Sequence, residues 1–165
     1  MRTVIRRHLL KVKEAKQLLS ELSQKLKLDA ERLVGSKTRI ELAETHMVQI
    51  FIINEKPLFA KIDGTLLPTL TSNGVFSLLP KIVVDMGAVP HICNGADLMA
   101  PGVVQIDGDF SIDDVLLIVD ERHGKPLAIG VALLDSTSMR NAKYGKVVKN
   151  IHYVGDRVWR MLKKI

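Results

Sequence analysis

The chain has 165 residues, of which 47% are hydrophobic, and a formal net charge of +6 at pH 7. This length accommodates one large or two small compact domains with a hydrophobic core. The longest strongly apolar stretch, residues 47–53, is far shorter than the roughly 20 residues that span a bilayer, which excludes a transmembrane helix. Arg6 and Arg7 interrupt the apolar run that a signal peptide needs, so we expect a cytoplasmic protein.

The first part of the chain has the periodicity of helices. Apolar residues at three- and four-residue spacing predict a helix of about fifteen residues with one apolar face. After a break near Leu28, Asp29 is suited to cap a second, short helix that Gly35 can end. The apolar residues of the first helix are Val12, Ala15, Leu18, Leu19, Leu22 and Leu26.

Strand patterns follow the two helices. Ile40 and Leu42 alternate with polar residues, and residues 47–53 form a β-branched and aromatic run. A turn at residues 54–56 leads into a further strand. These signals predict a small α+β domain over residues 1–78.

The remaining residues, 79–165, show mostly the pattern of short strands. A short helix closed by Asn94 and Gly95 is expected after the first strand, and Ser136 or Ser138 is expected to cap another. Strands of this number and spacing predict a small closed barrel. The predicted strands cover residues 82–84, 99–104, 115–119, 127–134, 147–154 and 157–162.

Basic charge is concentrated toward the two ends of the chain. Residues 1–16 carry six basic side chains and one acidic one, and residues 136–165 carry eight and one. Residues 85–135 instead hold nine acidic side chains and two basic ones. This distribution suits a polyanionic partner, and its alternative explanation is two ordinary solvated surfaces.

Three segments carry a family resemblance. Residues 84–89 (Val-Asp-Met-Gly-Ala-Val) and 94–103 (Asn-Gly-Ala-Asp-Leu-Met-Ala-Pro-Gly-Val) resemble the opening of PUA domains, which are RNA-binding folds. The resemblance narrows at residues 149–159 (Lys-Asn-Ile-His-Tyr-Val-Gly-Asp-Arg-Val-Trp). With Leu-Pro-Thr-Leu at residues 67–70, the chain is identified as an archaeal-type member of the malignant T-cell-amplified sequence family, in which a pre-PUA domain precedes the PUA domain.

The resemblance implies an RNA groove between residues 87–102 on one side and residues 151–160 on the other. Glycines in such a loop bring backbone groups close to RNA, although they can also serve only to end a helix or turn the chain. Asp97 is expected to accept hydrogen bonds from bases or to fix the loop backbone. The candidate RNA-binding residues are Gly87, Ala88, Val89, His91, Asn94, Gly95, Ala96, Asp97, Met99, Ala100, Pro101, Gly102, Lys143, Lys146, Lys149, Arg157 and Arg160.

Other notable side chains have structural interpretations. Cys93, the single cysteine, excludes an internal disulfide and a multi-cysteine zinc site, and we interpret it as a small buried hydrophobe. His152 and Trp159 are interpreted as core residues. No catalytic motif is present, so we expect no enzyme activity, catalytic residues, metal or cofactor.

The resemblance implies a translation-associated factor that acts on the small ribosomal subunit or tRNA in initiation, re-initiation or recycling. The implied partners are structured RNA (tRNA or rRNA), the small ribosomal subunit and a protein like density-regulated protein, with no membrane. One alternative is an accessory module that delivers tRNA or rRNA to a modification enzyme. Another is a protein-interaction module in which the barrel has only a structural role.

Overall fold

The computed structural model describes residues 5–35 and 39–165, and the chain divides into two compact units, Met1–Ser72 and Asn73–Ile165. Arg2, one of the basic residues near the start of the sequence, lies outside the described residues. None of the described helices is both long enough and apolar enough to cross a membrane. Folding of residues 1–78 and 79–165 as separate domains stays a prediction.

The first unit is an antiparallel five-stranded sheet accompanied by two helices. Its elements are β1 (Arg6–Leu9), α1 (Val12–Leu26), α2 (Ala30–Val34), β2 (Ile40–Glu44), β3 (Val48–Ile53), β4 (Lys56–Ile62) and β5 (Thr65–Pro68). The strand order is β1-β2-β3-β4-β5, so the strands lie side by side in the order of the chain.

Both predicted helices of the first unit are confirmed. The apolar stripe of α1 buries Leu18, Leu22 and Leu26. The Asp29 carboxylate caps α2 by accepting a hydrogen bond from the Arg32 backbone N–H at 3.2 Å. The sequence did not indicate β1, because all four of its residues are exposed and show no alternation of polar and apolar side chains.

The second unit contains a mixed six-stranded sheet. The elements of this unit follow in chain order. These are α3 (Asn73–Phe76), β6 (Lys81–Val84), α4 (Val89–Ile92), β7 (Leu98–Met99), a 3₁₀ turn (Ala100–Gly102), β8 (Val103–Asp107), β9 (Val115–Asp120), β10 (Pro126–Ala132), α5 (Ser136–Asn141), β11 (Lys146–Tyr153) and α6 (Arg157–Leu162).

The order of strands in this sheet is β7-β11-β10-β9-β6-β8, and the β6–β9 pair is parallel. The sheet encloses a core of buried hydrophobic side chains. The predicted fold class, an α+β domain followed by a small mixed β-barrel of PUA type, is confirmed. Core residues of this unit include Ile82, Val84, Ile92, Leu98, Phe110, Leu116, Ile118, Leu127, Val147 and Val148.

Three details of the sequence prediction for this unit are wrong. The 3₁₀ turn Ala100–Gly102 interrupts the strand predicted over residues 99–104. Residues 157–162 form a helix and not a strand, because their buried residues Val158, Met161 and Leu162 follow helical spacing. The N-cap of α5 is Asp135 and neither of the two serines, since its carboxylate accepts a hydrogen bond from the Ser138 N–H at 2.7 Å. A carboxylate immediately before the first helical residue is well placed to accept this bond.

A bulge interrupts the pairing of β10 with β11. Ile129 lies opposite His152 and Gly130 lies opposite Asn150, so Ile151 has no partner on β10. A Cβ at position 130 would overlap the Lys149 carbonyl oxygen and lie 2.7 Å from Val148 Cγ1. The bulge therefore requires glycine at this position.

A buried polar pair joins the end of β11 to the start of α6. His152 is fully buried, and its Nδ1 lies 2.8 Å from Asp156 Oδ2, which confirms its interpretation as a satisfied core residue. Asp156 also accepts hydrogen bonds from the backbone N–H groups of Tyr153 and Trp159. Burial by itself raises the pKa of Asp156, but the hydrogen bond and charge of His152 and the two backbone donors outweigh it and hold this pKa below its usual value.

The lowered pKa of Asp156 predicts how stability changes in acid. A carboxyl group with a lower pKa in the folded state stabilises the fold above its unfolded pKa of about 3.9 and loses this contribution as pH falls through the folded value. We expect the free energy of unfolding of the parent to decrease more between about pH 5 and pH 2 than that of Asp156→Asn. Urea denaturation at a series of pH values measures both.

The matched control for this experiment is Asp109→Asn. The Asp109 side chain is 91% exposed and pairs with Arg140, so its replacement should leave the acid-dependent decrease close to that of the parent. An equal decrease in the parent and in Asp156→Asn would contradict the assignment.

Candidate nucleic-acid interface

A cleft of about 740 Å³ opens in the second unit beside α4 and β7. It is built mainly from the segment that the sequence singled out, together with one lysine of β11. The predicted residues that line it are Gly87, Ala88, His91, Gly95, Ala96, Asp97, Met99, Pro101, Gly102 and Lys146.

The remaining predicted residues lie elsewhere. Three of them, Val89, Asn94 and Ala100, do not line the cleft. Ala100 is instead buried in the core. Of the five predicted basic residues, only Lys146 lines it; the others are Lys143, Lys149, Arg157 and Arg160.

Three residues of the cleft were not predicted. Asp85, Ile92 and Leu98 line it together with the expected ones. The signal for Asp85 was available, because it precedes Gly87 within the same motif and its carboxylate can accept a hydrogen bond from a backbone N–H of the turn that follows. Ile92 and Leu98 are almost fully buried, and their apolar side chains are indistinguishable in sequence from other core residues.

Local hydrogen bonds explain why the chain folds into a short helix here. The Ala88 N–H donates to Asp85 Oδ1 at 2.8 Å, just before α4 begins at Val89. Pro90 lies in the first turn of α4, where a backbone N–H has no partner within the helix. The missing N–H of proline therefore removes no helical hydrogen bond. The Gly95 N–H donates to the Ile92 carbonyl at 3.0 Å and closes the segment.

Two glycines of the cleft are required for packing. Gly95 has a φ of +94°, and a Cβ there would lie 3.1 Å from the Tyr153 ring. A Cβ at Gly102 would lie 3.1 Å from Ala88 Cβ, so the turn after β7 and the start of α4 are in close contact. Because these glycines have no side chain, the walls of the cleft can pack closely, and the glycine backbone stays uncovered.

Asn150 on β11 holds the loop that follows α4. Its Nδ2 group donates to the carbonyl oxygens of Ile92 and Ala96, each at 3.0 Å. Its backbone N–H donates to Asp97 Oδ1 at 2.9 Å, so Asp97 fixes the loop to β11 and not to its own neighbours. Asn150 Oδ1 is buried and accepts no hydrogen bond from any described residue, a cost that the two bonds donated by Nδ2 must offset.

Positive charge lies at the edge of the cleft. Lys146 Nζ is 3.3 Å from Asp97 Oδ2, and its side chain is 63% exposed. An ammonium group has three donors, so Lys146 can bond Asp97 and a ligand at the same time. Lys143 and Lys149 are exposed on either side of it along the chain.

Reactive chemistry is sparse in this region. Cys93 is partly buried against the core, and burial raises the pKa of its thiol, which favours the unreactive protonated form. Across residues 5–35 and 39–165, no three His, Cys, Asp or Glu side chains cluster in a way that could hold a metal ion.

Two protein families match the chain in succession. Residues 80–154 match the PUA domain, and residues 6–72 match a domain of unknown function, DUF1947. The two matches together cover most of both compact units.

Curated relatives match between 64% and 93% of the chain. An uncharacterised protein of Methanocaldococcus jannaschii is 36% identical over 157 residues, with 93% of this chain and 95% of the relative covered. Translation machinery-associated protein 20 of Schizosaccharomyces pombe is 29% identical over 110 residues, covering 64% and 61%. Malignant T-cell-amplified sequence 1 of Rattus norvegicus is 26% identical over 136 residues, covering 79% and 75%.

Solved structures have the same fold. A hypothetical protein of Pyrococcus horikoshii superposes with a TM-score of 0.81 at 34% identity, covering 95% of this chain and 99% of the other. A PUA domain protein of Aeropyrum pernix, solved as a tartrate complex, gives a TM-score of 0.85 at 28% identity, covering 98% and 92%. The chain therefore belongs to the malignant T-cell-amplified sequence family as an archaeal-type member, with a pre-PUA domain followed by a PUA domain.

Proposed function

We propose that this protein binds RNA in the cleft of its PUA domain and acts as a translation-associated factor. The observation that carries the proposal is the cleft itself, in which glycine backbone and Lys146 stand side by side. Backbone N–H and C=O groups that no side chain covers can approach sugars, phosphates and base edges. The ammonium of Lys146 supplies attraction for phosphate.

The dimensions and chemistry of the cleft favour an unpaired RNA segment over a duplex. Its volume of about 740 Å³ suits a few nucleotide-sized groups and is too small for a helix. Proteins commonly recognise RNA sequence through unpaired bases, because the major groove of an RNA duplex is too narrow for side chains. Structured RNA with an unpaired end, such as tRNA or rRNA, is therefore the class of ligand we propose.

The side chains of the cleft support RNA binding without catalysis. Asp97, the acid nearest Lys146 in the cleft, already pairs with this lysine and accepts the bond from Asn150 N–H. Both oxygens of Asp97 thus already join the loop to β11, which favours a structural role for this carboxylate. We infer that the chain holds RNA and leaves chemistry to other proteins.

A role in translation rests on the named relatives. Translation machinery-associated protein 20 and malignant T-cell-amplified sequence 1 match most of this chain. We propose that the protein acts on the small ribosomal subunit or on tRNA during initiation, re-initiation or recycling. A partner similar to density-regulated protein is part of this proposal.

Filling the cleft should weaken RNA binding. Gly87 lies outside the positive-φ region, and the nearest atom to a Cβ built there is Asp85 Oδ1 at 3.4 Å. We therefore expect Gly87→Leu to fold normally and to reduce affinity for a hairpin RNA with an unpaired end by about tenfold or more, equivalent to at least about 1.4 kcal/mol. Fluorescence anisotropy titration gives the affinity, and thermal melting checks the fold.

The control is Gly74→Leu, at an exposed glycine of α3 that also lies outside the positive-φ region and has open space around it. It should bind like the parent. A folded Gly87→Leu variant with parental affinity would remove the cleft from the RNA site.

Loss of Lys146 should change the salt dependence of binding. If its ammonium neutralises one phosphate, Lys146→Ala should reduce the magnitude of the slope of log affinity against log salt by roughly 0.7 for single-stranded RNA. The control Lys125→Ala removes the same charge from the turn between β9 and β10 and should leave the slope unchanged. Titrations at several salt concentrations measure both, and equal slopes for Lys146→Ala and the parent would show that this lysine contacts no phosphate.

Association with ribosomes tests the proposed place in translation. A tagged parent chain should co-migrate with the small ribosomal subunit when a cell extract is separated on a sucrose gradient. Gly87→Leu should shift to the light fractions, and Gly74→Leu should not. Absence of the parent from the small-subunit fractions, together with co-purification of an RNA-modification enzyme, would instead support the accessory role.

A further inference from the structure

We propose that Tyr144 is a stacking platform for an unpaired RNA base beside the cleft. This inference rests on the proposed RNA-binding function and extends its site by one aromatic residue. It commits the site to single-stranded nucleotides at this edge, because a base within a duplex has no free face on which to stack.

The exposure of Tyr144 is the first observation. Its side chain is 84% exposed, the largest fraction among the exposed large hydrophobic residues of the described chain. The other tyrosine, Tyr153, instead packs against Gly95 and the core. An aromatic ring left in water retains both faces for a partner, and stacking on a base removes one of these faces from water.

The backbone around Tyr144 is fixed to the cleft. The carbonyl oxygen of Gly145 accepts a hydrogen bond from the Ala100 N–H at 2.9 Å, between two cleft residues, Met99 and Pro101. The next residue, Lys146, pairs with Met99 in the β11–β7 ladder and lines the cleft. The backbone at Tyr144 is thus held beside the cleft by the strand that supplies Lys146, so RNA binding has to order only the Tyr144 side chain.

The charge beside Tyr144 favours a nucleic-acid partner. Lys143 and Lys146 flank Tyr144 in sequence, and both are exposed. A ring with lysines close to it in the chain suits a strand that presents phosphates and bases alternately. Every base has a π-face, so we expect the contact to tolerate any base and to contribute affinity without sequence preference.

Truncation and conservative replacement of the ring test the stacking. Tyr144→Ala should weaken binding of a hairpin RNA with an unpaired end by about fivefold or more, since stacking of one base is generally worth that much. Tyr144→Phe and Tyr144→Trp should bind within about twofold of the parent, because both keep an aromatic face. Ile112→Ala, which trims a 56% exposed side chain of the same unit, should have no effect.

A second measurement isolates the base. A set of probes with one abasic nucleotide at each position of the unpaired end removes one base at a time and keeps every phosphate. For one of these probes, the parent should lose affinity and the penalty of Tyr144→Ala should disappear. In Tyr144→Trp, RNA should quench more tryptophan fluorescence than in the parent, whose Trp159 supplies the background.

The outcomes separate this inference from the proposed function. If the parent binds and Gly87→Leu weakens binding while Tyr144→Ala does not, the stacking platform is refuted and the cleft stands. If Tyr144→Phe loses as much as Tyr144→Ala, the hydroxyl and not the ring makes the contact, which also refutes stacking. If the parent binds none of the RNA probes, the proposed function itself fails.

Discussion

The hydrogen bonds of Asn150 hold the wall of the cleft in place. The wall is a four-residue helix and an irregular loop, which are too short to keep a shape by themselves. Asn150 donates to the carbonyls of Ile92 and Ala96 and, through its backbone, to Asp97, so a single residue of β11 anchors both ends of this loop. The geometry of the cleft therefore depends on the position of β11.

The position of Asn150 depends in turn on the bulge beside it. Ile151 is the extra residue of β11, and Gly130 lets the Lys149 carbonyl approach β10 more closely than any side chain would allow. Past the bulge, His152 enters the core and pairs with Asp156, which caps α6. The region from which the cleft is built is thus supported by the bulge, by Gly130 and by the buried hydrogen bond between His152 and Asp156.

Much of this architecture follows from local sequence patterns. The apolar periodicity of α1, the carboxylate cap of α2 and the alternation in the central strands all act over a few residues, and these elements were predicted. The glycine-rich segment of the cleft was also found, because its motif is continuous in the chain. Residues 157–162 were misassigned to a strand, since a short apolar run after a turn fits both a strand and a helix.

What the sequence could not provide is proximity between distant residues. Asn150 was not singled out, because its partners lie 53 to 58 residues earlier in the chain. Five lysines and arginines near the end of the sequence were predicted to bind RNA, yet only Lys146 among these five lines the cleft. The glycines illustrate the same point: Gly95 and Gly102 satisfy tight contacts, whereas Gly87 has space, and their sequence contexts do not distinguish the two situations.

The paired strands of the two sheets are separated by different lengths of chain. Strands β2, β3 and β4 each pair with the next strand along the sequence, so short loops suffice to bring them together. In the second sheet, β7 must find β11 across about 50 residues, as the Leu98–Val148 pair shows, and β6 must find both β8 and β9. Because synthesis proceeds from the N-terminus, the first sheet can pair while the second is still incomplete, and the cleft cannot exist until β11 has emerged. The growing chain thus acquires the capacity to hold a ligand only after its first sheet can already have formed.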